Sequence, residues 1–314
     1  MKKFLVTGGT GFIGSNIVRL LSEKKNTKVR ILDNNFRGSL NKITNLKKNI
    51  EFKKCDIRNR KQVFQYIKGQ DAVVHLAYIN GTKNFYKLPV EILDVAIHGL
   101  MNVVEACIKY KVQELYLASS SEVYHHPEKV PTKEQDAILK IPDIYNPRYT
   151  YGGGKILTEL VGINYGRKFF KKLIIFRPHN VYGPKMGNDH VIPQFIKRIK
   201  NLKINKKYFK IQGSGKEIRS FIFIDDFIDA FDLLIKKGKH NNIYHIGTTE
   251  KINMKNLALK IGKIFKKKFY FKYIDSPLGG TKLRYPSIDK IKKIGFKPKY
   301  NLINGLKKTI KSYK

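Results

Sequence analysis

The passage from residues 3–7 (KFLVT) into Gly8-Gly9-Thr10-Gly11-Phe12-Ile13-Gly14 constrains this chain more than any other. A short apolar run reads as a buried strand, and residues 15–21 carry a helical pattern straight after the last glycine. Glycines at G-x-x-G-x-x-G spacing permit a tight turn, close approach of backbone to a pyrophosphate, and close packing of helix on strand. The amides at the start of the helix then face the phosphates. A second strand at 29–32 ends at Asp33, nineteen residues after Gly14. A carboxylate there accepts hydrogen bonds from a ribose 2′-OH and repels a 2′-phosphate, which favours NAD over NADP. Gly8, Gly11, Phe12, Ile13 and Gly14, with Asp33 and Asn34, are therefore the expected cofactor contacts of the first unit.

Strands and helices continue to alternate. Strand patterns fall at 50–55, 72–76, 114–119 and 173–177, and helical patterns at 60–68, 90–110 and 151–170. Alternation of this kind specifies an α/β fold, a Rossmann-type doubly wound parallel sheet with helices on both faces. The regularity weakens from Gly183. Segments 192–199, 224–236 and 254–267 look helical, and 242–246 looks like a strand returning to the sheet. The expected division is an NAD-binding domain over 1–182, rejoined near 220–247, and a smaller C-terminal substrate-binding lobe over 183–314.

With 314 residues, 42% of them hydrophobic, the chain can bury a sizeable core. No apolar run is long enough to span a bilayer, and the N-terminus enters the nucleotide-binding strand directly, so neither a membrane nor a signal peptide is expected. Cys55 and Cys107 read as buried free thiols in a reducing compartment, the cytoplasm. The charge is unusual, at 63 basic against 24 acidic residues. Nucleic-acid binding is one reading of it. Lysines spread over solvated faces in nearly every segment are the other, and the densest run, 251–272, reads as an amphipathic helix with Leu257, Ile261, Ile264 and Phe265 inward. The second reading is adopted, with a positive field that attracts anionic substrates. None of the eight histidines has metal-ligand spacing, so no metal is expected.

The chemistry is carried by two short stretches, Ser119-Ser120-Ser121-Glu122 and Tyr151-Gly-Gly-Gly-Lys155. Tyr151 and Lys155 lie one helical turn apart and share a face. An ammonium beside a phenol favours the phenolate, and a nearby hydroxyl can share the proton. Such a set removes a proton from an alcohol while a hydride leaves the same carbon.

Together with these motifs, CDI (55–57), HLA (75–77), RPHNVYGP (177–184), the Arg219-Ser-Phe segment and Arg284 occur in an order that resembles the extended short-chain dehydrogenase/reductases, the nucleotide-sugar epimerase/dehydratase family. The resemblance covers essentially the whole length. It implies that Asp56 and Ile57 contact the adenine, and that Leu76, Ala77 and Tyr78 line the cofactor. It makes Tyr151 the base at the sugar C4 hydroxyl, with Lys155 on the nicotinamide ribose and Ser120 on the C4 oxygen. Asn180, Arg219 and Arg284 would grip the diphosphate, for which bidentate arginine is suited. It also implies a homodimer through the helix carrying Tyr151 and its neighbour near 90–110. Three positions depart from the usual pattern: His98 for an asparagine near the cofactor, His125 for a glycine, and Gly154 for a serine.

A 4-keto sugar can be re-reduced on its other face, lose water across C5 and C6, or lose a C5 carboxylate. Glu122 resembles the acidic residue of dehydratases and decarboxylases, whereas Ser121 stands where glucose-type dehydratases have an aspartic acid. Epimerisation, 4,6-dehydration and decarboxylation all stay open on the sequence. The rivals from other classes are a basic nucleic-acid-binding protein or an NAD-sensing protein on the same scaffold.

Overall fold

A computed structural model describes residues 1–44, 49–136, 138, 141, 143–203, 208–275 and 279–313. Its centre is a seven-stranded, wholly parallel sheet. Six strands are β1 (Lys2–Thr7), β2 (Thr27–Asp33), β3 (Ile50–Lys54), β4 (Ala72–His75), β5 (Glu114–Ala118) and β6 (Lys172–Pro178). The seventh, Asn242–Ile246, pairs with β6 and gives the order Asn242–Ile246, β6, β5, β4, β1, β2, β3. The chain reverses its winding between β1 and β4, and the carboxyl ends of these strands open onto one cleft, where ligands bind in open α/β sheets.

Alternation along the strands sorts the side chains onto two faces. Leu5, Leu32, Val73, Leu115, Leu117, Leu173 and Ile175 are buried against Val63, Ile67, Val103 and Cys107. Phe4, Val6, Ile31, Val74, Tyr116, Ile174 and Phe176 are buried on the opposite face against α1 (Phe12–Glu23) and the helix Ile224–Lys237. That second core runs on into the C-terminal part through Leu257, Ile261, Ile291, Leu306 and Ile310.

Two C-terminal features bear on the cleft. Arg219 and Arg284 are register partners in a small sheet of Lys251–Asn253, Ile218–Ser220 and Leu283–Arg284, so two distant sequence positions become adjacent. The lysine-rich run 251–272 is not one helix as expected. The helix is Met254–Ile264, Lys266 turns left-handed at φ 56°, and Tyr270–Ile274 forms a strand against Tyr208–Gln212. The aromatic and β-branched residues of YFKYI favour that strand over a continued helix. Cys55 and Cys107 are free and buried, and among the described residues no helix is long and apolar enough to cross a membrane.

Candidate active site

The glycine turn is held by contacts that leave no room for a side chain. A Cβ on Gly14 would lie 2.1 Å from the Gly8 carbonyl oxygen, and Gly8 itself has φ 71° with its Cβ position 2.8 Å from the Ala77 amide nitrogen. Gly11 differs, since its Cβ would meet only the Gly8 oxygen, at 3.2 Å. Gly11 is the N-cap of α1 and supplies no side-chain cap, which leaves the first amides of the helix open to the cleft. Thr7 fastens this turn to the segment after β4. Its hydroxyl accepts from the Leu76 and Ala77 amides at 3.1 Å and lies 2.9 Å from His75 Nδ1. Burial, and then the Lys155 charge, drives the His75 pKa down to about 3, so the ring is neutral and Nδ1 accepts the Thr7 proton.

Asp33, at the end of β2, accepts from the Thr10 amide (2.9 Å) and the Asn35 amide (2.8 Å) while still lining the cleft. It therefore braces the glycine turn as well as facing a ribose position, a role its spacing from Gly14 does not reveal. Asn34 donates to Asp56 at 3.2 Å, and Asp56 pairs with Arg58 at 2.8 Å.

Tyr151 and Lys155 project from the helix Arg148–Phe169. That helix is anchored by Glu159, one turn beyond Lys155, which accepts from Ser119 (2.5 Å) and from Arg177 Nε and Nη2 (2.7 and 2.6 Å). Lys155 donates to the Ala118 carbonyl at 2.7 Å. Ser120 caps the short turn Ser121–Tyr124, accepting from the Glu122 amide, and its hydroxyl faces Tyr151 closely enough to favour the phenolate. The chain leaves that turn through His125 at φ 42°, left-handed backbone that favours glycine, which accounts for the glycine usual at this place.

The electrostatics correct one expectation. Lys155 was expected to lower Tyr151, yet burial pushes the phenol up to about 12, with Ser120 pulling the other way. The ammonium is turned to Ala118 and to the ring of Tyr78, and lies 5.9 Å from the Tyr151 ring centroid. Burial brings Lys155 itself down to about 7, opposed by Glu159.

At the other end, Arg284 Nη2 lies 2.5 Å from Glu122 Oε1. Burial opposes the Glu122 charge, but Arg284, with Arg148 and His125, holds its pKa down at about 2. Glu122 is thus ionised at neutral pH, able to take a proton from a bound ligand. Arg284 Nε and Nη1 and Arg148 Nε are buried without partners. Arg219 donates to the Thr281 carbonyl at 2.6 Å, and burial beside Arg284 lowers it to about 9. Asn180, at φ 44°, ties its side chain to the Ser220 carbonyl at 2.8 Å.

Gly8, Gly11, Gly14, Asp33, Asn34, Asp56, Ser120, Glu122, Tyr151, Lys155, Asn180, Arg219 and Arg284 line one cleft of about 600 Å³, with Phe12, Ile13, Ile57, Leu76, Ala77, Tyr78 and Ser121. Arg37, Lys42, Arg58, Phe85, Arg148 and His190 line it too and escaped the sequence reading. Arg148 had a usable signal, three residues before Tyr151 on the same helical face. His98 is exposed and outside the cleft lining, contrary to expectation; Ala96 is the buried residue facing Gly154 and Tyr78.

Bare helix-start amides, a glycine with its Cβ direction open, and an acid at a ribose position fit a dinucleotide. Comparison with known proteins agrees. Residues 4–247 match the NAD dependent epimerase/dehydratase family. A dTDP-D-glucose 4,6-dehydratase of Dictyostelium discoideum is 32% identical over 83% of this chain, which spans only 62% of that protein. A putative UDP-glucose 4-epimerase of Methanocaldococcus jannaschii is 33% identical over 98% of this chain and 96% of its own length. The UDP-glucose 4-epimerase of Thermotoga maritima, solved with UDP-glucose, superposes with a TM-score of 0.88 at 27% identity, covering 99% of this chain and 98% of that one. The chain belongs to the NAD-dependent epimerase/dehydratase family, on an α/β Rossmann-type fold.

Proposed function

We propose that this protein oxidises a nucleotide-diphosphate sugar at C4 to a 4-keto intermediate. The observation that carries this reading is that Ser120, Tyr151 and Lys155 meet in one cleft between the glycine turn and the Arg219–Arg284 pair. Gly8, Gly11, Gly14 and Asp33 would hold NAD, with Asp56 and Ile57 at the adenine and Leu76, Ala77 and Tyr78 along it. When bound, NAD accepts the C4 hydride and returns it. Tyr151 takes the C4 hydroxyl proton, aided by Ser120 on the same oxygen. Because burial disfavours its phenolate, that transfer requires positive charge from Lys155, which also steadies the ribose. Asn180, Arg219 and Arg284 hold the diphosphate, with Arg284 able to keep Glu122 on Nη2 while offering its two free nitrogens.

The state of Glu122 bears on the net step. In a 4,6-dehydration the ionised Glu122 would take the C5 proton and, once protonated, could give it to the departing C6 hydroxyl, while Ser121 does not supply the aspartic acid of the glucose-type dehydratases. Epimerisation, 4,6-dehydration and loss of a C5 carboxylate are all compatible with this site, and Glu122 is the residue on which the choice turns. The 1–182 and 183–314 division, with 220–247 returning to the first part, and a cytoplasmic location suited to free buried thiols belong to the same reading. So does a homodimer. Val90, Leu93 and Ile97 are exposed on one stretch beside the helix Arg148–Phe169, which exposes Leu160 and Phe169.

The test is NMR of the products from UDP-, dTDP-, GDP- and CDP-sugars, including a uronate, in D₂O. Inverted C4 without deuterium at C5 is epimerisation, and deuterium at C5 accompanies decarboxylation or dehydration. The proposal fails if the NAD-loaded protein converts none of them.

A further inference from the structure

Tyr78, expected only to line the cofactor, has no part in the proton-transfer scheme, yet it touches both Tyr151 and Lys155. It stands just past the end of β4, against the catalytic helix. The face of its ring lies 3.8 Å from Lys155 Nζ, measured to the centroid. Its ring also meets that of Tyr151 edge-on, with centroids 5.1 Å apart at 83°. Phe85 also stacks on Tyr151 at 4.8 Å and 27°, so the phenol packs against two aromatic rings. The Tyr78 hydroxyl makes no hydrogen bond, although it is buried. It fits a socket shaped by two small residues. A Cβ on Gly154 would lie 2.1 Å from that oxygen and 2.7 Å from the Ala96 Cβ. A serine at 154 could not coexist with Tyr78 in this position, so the departure at Gly154 and the tyrosine at 78 form one arrangement.

We propose that Tyr78 is a positioning residue whose ring face seats the Lys155 ammonium while the same ring packs crosswise against Tyr151, with Ala96 and Gly154 as the socket that fixes the ring. The inference rests on Tyr151 and Lys155 being the reacting pair. A cation over an aromatic face is attracted by the ring quadrupole, most strongly where water is excluded. Lys155 needs this, because burial otherwise favours its neutral form. The groups facing it are Tyr151 and Glu159 on its own helix, the Ala118 carbonyl of β5, neutral His75 at the end of β4, and Tyr78. Of these only Glu159 is charged, and it is already engaged by Arg177 and Ser119. Beyond the Ala118 carbonyl, which accepts one hydrogen bond at 2.7 Å, the ring of Tyr78 at 3.8 Å is the nearest uncharged group that prefers the ammonium.

The experiment titrates Lys155 directly, by NMR of ε-¹³C-lysine protein without added cofactor, taking as its signal the resonance lost in Lys155→Met. Tyr78→Phe keeps the ring and Tyr78→Leu keeps apolar bulk without it. Tyr78→Leu is expected to lower the Lys155 midpoint by about 0.5–1 pH unit, while Tyr78→Phe leaves it near the parent value. In the NAD-loaded enzyme, with whichever sugar nucleotide is converted, Tyr78→Leu is expected to lower kcat more than it raises KM. Gly154→Ala should mimic that loss in the parent and do less harm in a Tyr78→Phe background, where the clashing oxygen is gone. Equal midpoints in parent and Tyr78→Leu overturn the proposal, as do equal shifts in Tyr78→Leu and Tyr78→Phe. If no sugar nucleotide reacts yet the midpoint moves as expected, the proposed activity fails and the seat for Lys155 stands.

Discussion

At the glycine turn, backbone does the work: Gly8, Gly11 and Gly14 strip away side chains and leave the amides at the start of α1 bare. At the other end of the cleft, Glu122, Arg148, Arg219 and Arg284 meet as charged side chains from four separate stretches of sequence. In the proposed function the first end would hold the dinucleotide by backbone geometry that its glycines allow. The second would hold the diphosphate by an excess of cations around one carboxylate. Tyr151 and Lys155 sit between them, on a helix pinned by the buried Glu159–Arg177 pair. The contrast teaches that the two ends should respond differently to substitution, one sterically and the other electrostatically.

The largest effect is expected at the junction. Tyr151→Phe removes the proton acceptor and should lower turnover about 10²–10⁴-fold, while NADH binding, read by fluorescence, persists. Full turnover in that variant would sever the link between the two ends.

Removing one partner of the pair at the charged end comes next. Arg284→Gln leaves Glu122 in a largely buried site without its counter-charge, and should cost about 3 kcal/mol in denaturant unfolding. Adding Glu122→Gln should restore part of that loss, because the stranded charge is gone. At the glycine end the effect should be steric and graded. Gly14→Ala forces a Cβ to 2.1 Å from the Gly8 oxygen and should unfold the turn, at about 1–3 kcal/mol. Gly11→Ala meets only one atom at 3.2 Å, so it should fold normally and weaken NADH binding. Equal stability losses in the two glycine variants would break the steric account.

How much of this could be read in the sequence follows the same division. The glycine spacing, the strand before it and Asp33 lie within 33 residues, and local backbone rules suffice to place them. The Tyr151–Lys155 pair is likewise visible from helical spacing. The Glu122–Arg284 bond joins residues 162 apart, and the register that sets Arg219 beside Arg284 depends on a three-residue strand. Nothing local announces either. The direction of the Tyr151 shift was also hidden, since it turns on burial and on where the Lys155 ammonium points. The resemblance set His98 where an asparagine near the cofactor is usual, but in the local π-turn at Val95–Gly99 it is Ala96 that faces Gly154.

The smallest effect expected is on acid stability, and it separates the two ends without any ligand. Glu122 has its folded pKa held near 2, below the 4.5 of the free side chain, chiefly by Arg284 working against burial. The unfolded chain therefore binds the Glu122 proton more readily than the folded one. The stability this contributes is complete above pH 4.5 and is lost as pH falls toward 2. Allowing for its partial exposure, the loss should be about 2 kcal/mol. Urea unfolding at pH 5.5 and pH 3 should show this increment in the parent protein and not in Glu122→Gln, with Arg284→Gln intermediate. Gly11→Ala should track the parent at both pH values, because the turn it alters holds its ligand with amides that do not titrate. A pH difference unchanged by Glu122→Gln would mean that the charged end is held together by packing rather than by the ion pair.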